Sequence, residues 1–81
     1  MAALYILDVP EFFPLVRGLR EAGLHVEGPT RDYYRISAPD RIVISRKALG
    51  LKYPIWFGAL TGGLEGRIAQ FDRNTLEIVD P

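Results

Sequence analysis

Apolar and polar positions change rhythm several times along this chain, and each change marks an element. Residues 3–7, "ALYIL", form an unbroken apolar run bounded by Asp8 and Pro10, the pattern of a short buried strand. From Phe12 the rhythm turns helical: Phe12, Leu15, Val16, Leu19 and Ala22 recur every three or four residues and share one face. Asp8 stands three residues before Glu11, the spacing of a capping box, with Leu7 and Phe12 placed as a hydrophobic staple. Pro14 disfavours regular helix at that depth, so the helix is expected from near Glu11 with an irregular first turn. Gly23 suits the left-handed position that ends a helix, with Leu24 reaching back to Leu19.

The period then drops to two. "LHVE" sets Leu24 and Val26 against His25 and Glu27. "GPTRD" reads as a turn. "YYRIS" and "RIVIS", joined by "APD", read as a hairpin, with Tyr34, Ile36, Ile42 and Ile44 inward and Tyr33, Arg35 and Ser45 outward. "GRIAQF" and "TLEIV" form a closing hairpin around "DRN", with Leu76 and Ile78 inward. On its first strand Ile68 competes with Ala69 and Phe71 for the inner face. Between the hairpins, "PIWFGALTGGLEG" predicts a helix from Pro54 to Thr61, stopped at Gly62 or Gly63.

These elements predict an α+β two-layer sandwich. In it, an antiparallel sheet of about four to five short strands carries two helices on one face. The alternative is a small half-open β-barrel with one helix. Eighty-one residues make one domain, 1–81. Without cysteine there is no disulfide staple and no thiolate zinc site, and a domain this small is often marginal unless it has a partner. Composition is ordinary for a globular protein, and the apolar runs are too short for a signal peptide or a membrane span. The expected setting is the cytoplasm, with no membrane contact.

Net charge is zero, but residues 31–52 carry a local excess of four positive charges. Arg31, Arg35, Arg41, Arg46, Lys47 and Lys52 stand there against Asp32 and Asp40. Arginine beside tyrosine can clamp a carboxylate or stack on a base. The plainer alternative is an edge strand wearing charge against aggregation, and it is the favoured one. The glycines of "GALTGGLEG" follow their helix instead of leading into one, the wrong order for a phosphate cradle. His25 and Glu27 are the only pair resembling a base and its orienting group, and no activated nucleophile accompanies them. No cofactor motif and no metal-ligand cluster is present.

The leading functional expectation is a non-enzymatic interaction or accessory domain that self-associates or meets a protein partner, with Trp56 and Phe57 as aromatic anchors. The second is a small enzyme or binder of an anionic molecule, held by Tyr33, Arg35 and Arg46 near the Trp56 helix, with His25 moving protons. The third and weakest is single-stranded nucleic-acid binding along Tyr33, Arg35 and Arg41.

Overall fold

A computed structural model describes residues 1–80. The first apolar run is strand β1, Ala2–Leu7. A 3-10 turn at Pro10–Phe12 follows, and then helix α1, Phe13–Glu21. Pro10 opens this turn, and Pro14 falls in the first turn of α1, where a missing N–H costs least. The expected capping box is not formed, since no side chain caps either start. The other end of α1 forms as expected. Gly23 has φ +91°, its N–H donates to the Arg20 carbonyl, and the Leu24 N–H donates to the Leu19 carbonyl.

The remaining strands are β2 (His25–Thr30), β3 (Tyr33–Ala38), β4 (Arg41–Ser45), β5 (Leu64–Glu65), β6 (Arg67–Phe71) and β7 (Thr75–Val79). Between β4 and β5 lie α2 (Arg46–Leu49) and α3 (Tyr53–Gly58). Among the described residues, seven strands and three short helices make a small α+β sandwich of two open antiparallel sheets, ordered β2-β3-β1-β5 and β4-β7-β6. The sheets enclose one core, to which the first contributes Leu4, Ile6 and Ile36 and the second Ile42, Ile44, Leu76 and Ile78. Leu15, Val16 and Leu19 of α1 and Trp56 of α3 complete it.

One pairing differs from expectation. β3 and β4 are not a hairpin, because β3 pairs with β1 and β2 while β4 pairs with β7. Two-residue hairpins favour primed turns with positive φ, and the Pro39 ring excludes that geometry. The chain instead crosses between sheets at Pro39–Asp40. The primed turn lies earlier, at Arg31 (φ +52°) and Asp32 (φ +72°), and it joins β2 to β3.

Candidate functional site

Alternation along β2 and β3 brings most of the expected polar residues to the outer face of the first sheet. The register aligns Glu27 with Arg35 and Arg35 with Tyr5, making a row across three strands. His25 Nε2 lies 3.2 Å from Glu27 Oε1, and Arg35 Nη1 lies 3.6 Å from the same oxygen. Arg35 also donates from Nη2 to Glu65 Oε2 (3.2 Å) and from Nε to the Tyr5 hydroxyl (3.3 Å). The Tyr5 hydroxyl in turn donates to Glu65 Oε1 at 2.5 Å.

This network leaves its mark on protonation. The Tyr5 hydroxyl first, and then Arg35, hold the Glu65 carboxyl below its ordinary range. The hydrogen bonds to Tyr5 and Glu65 hold the Arg35 guanidinium above its own. Arg35 is therefore occupied by its two carboxylates. Ser37 stands opposite His25 in the register, yet among the described residues no hydrogen bond joins them, so the pair is not a nucleophile with its base. Neither does any group of three His, Asp or Glu among those residues converge as metal ligands.

Arg46 and Trp56 do not join this row. Arg46 stands at the start of α2 and donates from Nε to the Arg73 carbonyl (2.7 Å) and from Nη1 to the Leu51 carbonyl (3.0 Å). Its guanidinium lies over the Tyr53 ring, 4.3 Å from the centroid. It ties chain segments together and is not free to grip an anion beside Arg35. Arg41 belongs to the second sheet and pairs with Glu77 at 3.4 Å, so Tyr33, Arg35 and Arg41 do not line one sheet as a nucleic-acid track. Trp56 is fully buried, and its indole N–H donates to the Asp72 carbonyl at 2.7 Å. It is a core residue and not part of the surface.

The next residue does the opposite. Phe57 is 51% exposed, stacked on Tyr53 (centroids 6.2 Å) and edge-on to Phe71 (5.9 Å). Tyr53 is 46% exposed. Ile68 of β6 is 44% exposed although its register partner Ile78 is buried, because β6 is the sheet's edge and a bulge follows Ile68. Phe71 is half-buried against the core on the same strand. Tyr53, Phe57 and Phe71 therefore form an aromatic surface where α3 meets β6, with Arg46 at its rim, and Ile68 is exposed separately on the same edge strand. The sequence singled out Trp56 and Phe57 together without separating buried from exposed; Tyr53 and Ile68 carried no signal beyond being large.

A separate groove of about 340 Å³ opens on the first sheet, lined by Tyr5, Thr30, Arg31, Tyr33 and Gly62. The chain matches no protein-family model, and no curated protein matches it. Among the described residues no helix is long and apolar enough to cross a membrane.

Proposed function

We propose that this protein is a small interaction domain that self-associates through the aromatic surface of Tyr53 and Phe57 on α3 together with the open β6 edge that carries Ile68. The observation behind this reading is three large apolar side chains, each about half exposed, beside an open sheet edge in an 81-residue chain. Interfaces are enriched in aromatic residues and arginine, and a few such anchors carry most of the association energy. Arg46 over Tyr53 supplies the polar rim and holds that ring in place.

Sedimentation velocity across about 1–300 μM covers the range in which a modest interface associates, with dissociation constants on the order of micromolar. The wild type is expected to shift from monomer to dimer over that range. The double variant Phe57→Glu, Ile68→Lys is expected to stay monomeric with an unchanged circular dichroism spectrum. A wild type that remains monomeric at the highest concentration overturns the reading, and so does a double variant that associates like the wild type.

A further inference from the structure

The geometry points to a second site: the groove between the β2–β3 turn and the Gly62 loop binds a small aromatic anion, a planar ring bearing a carboxylate or phosphate. Its volume of about 340 Å³ falls at the lower end of small-ligand clefts, roughly 300–1,000 Å³. Tyr33 and Tyr5 are diagonal neighbours on the outer face of β3 and β1, so both rings border the groove. The Tyr5 hydroxyl is engaged by Glu65 and Arg35, which holds the Tyr5 ring in place. A Cβ on Gly62 would lie 2.3 Å from the Tyr5 carbonyl oxygen and 3.0 Å from Tyr33 Cε1, so bare backbone packs against both tyrosines.

Charge selects the ligand. Arg31 is the one charged residue lining the groove, and among the described residues it has no ion-pair partner. Arg35, nearby, is already taken by Glu27 and Glu65. An unoccupied guanidinium beside two tyrosine rings matches a planar anion by a forked hydrogen bond and by stacking. The backbone supplies an independent observation. Arg31 and Asp32 both hold positive φ in a two-residue primed turn, where asparagine and glycine are the favoured residues. Arg31 thus holds a backbone conformation that its side chain disfavours, and such outliers cluster at ligand sites.

The site lies on the first sheet and is independent of the apolar surface on the second. NMR-monitored titration of the full chain with benzoate and phenyl phosphate tests it. Acetate and inorganic phosphate serve as anions without a ring, and benzyl alcohol as a ring without charge. At least one aromatic anion is expected to saturate at about 1 mM or below, shifting the Arg31, Tyr33 and Gly62 amides, with the three controls at least tenfold weaker. Which of the two binds more tightly identifies the headgroup. Arg31→Asn is expected to weaken binding by about tenfold or more while the melting temperature stays level or rises, since asparagine suits the left-handed region. Tyr33→Leu is expected to weaken it as well, and Phe57→Glu to leave it unchanged. Three results overturn the site: no saturation by either aromatic anion, Arg31→Asn binding as tightly as wild type, or benzyl alcohol binding as tightly as benzoate.

Discussion

Trp56 and Phe57 are adjacent, aromatic and on one short helix, yet they do opposite work. A helix turns about 100° per residue, so neighbours cannot share a face. Trp56 takes the buried side, tilted against Phe71 with centroids 5.8 Å apart, and its only polar atom is satisfied by the Asp72 carbonyl. Replacing it with phenylalanine removes volume from a closed core and leaves that carbonyl without its indole donor. Trp56→Phe is expected to lower unfolding free energy by about 2–3 kcal/mol, from the combined volume and hydrogen-bond loss. Phe57→Ala is expected to cost about 1 kcal/mol or less, because half of that ring already faces water. Urea unfolding followed by circular dichroism at low protein concentration measures both. An inverted order would mean that Phe57, and not Trp56, anchors the fold.

At the scale of elements, the stretch from Pro54 to Gly66 tests how glycines are used. Gly58 and Gly62 are four residues apart but have different surroundings: a Cβ at Gly58 would meet only Phe12 Cζ, at 3.6 Å, an ordinary contact. Gly58→Ala is therefore expected to be neutral or to stabilise by up to about 1 kcal/mol through helix propensity. Gly62→Ala must displace backbone of β1 and is expected to destabilise by roughly 1–3 kcal/mol. Thermal melts of the two variants separate these outcomes, and a harmless Gly62→Ala would refute the close approach. Periodicity made α1, β1 and the β6–β7 hairpin readable, because each writes its pattern within a few residues. It also paired His25 with Glu27 on one strand and Tyr33 with Arg35 on another, without showing that the two pairs share a sheet face. It did not reveal that β3 and β4 belong to different sheets, since strand partners are chosen by edges that distant segments fill. Tyr5 and Glu65, which complete the polar row, arrive from 30 residues away on either side of Arg35. Helix α2 was missed because four residues carry too little periodicity; Ser45, which accepts from the Ala48 N–H, and Gly50 at φ +66° bound it.

For the molecule as a whole, each sheet contains one carboxylate that gathers several distant or turn-forming partners. In the first sheet Glu65 joins β5 to Tyr5 of β1 and Arg35 of β3. In the second, Asp72 accepts from the Gln70 side chain and from the Asn74 and Thr75 backbone N–H groups, shaping the β6–β7 turn whose Asp72 carbonyl receives Trp56. Those three donors, Gln70 foremost, hold the Asp72 carboxyl below its ordinary range, as Tyr5 and Arg35 do for Glu65. A carboxylate with a depressed folded-state pKa adds stability above its unfolded value, about 4, and the gain disappears as pH falls through the folded value. Melting temperature is thus expected to hold nearly level from about pH 7 to 5 and to fall below about pH 4. The double variant Glu65→Gln, Asp72→Asn cannot lose a charge it lacks. It is expected to melt lower than wild type at neutral pH and to fall less steeply in acid, so the two curves converge toward pH 2. Parallel curves would show that the acid response arises from other carboxylates and that these two do not fasten the sheets.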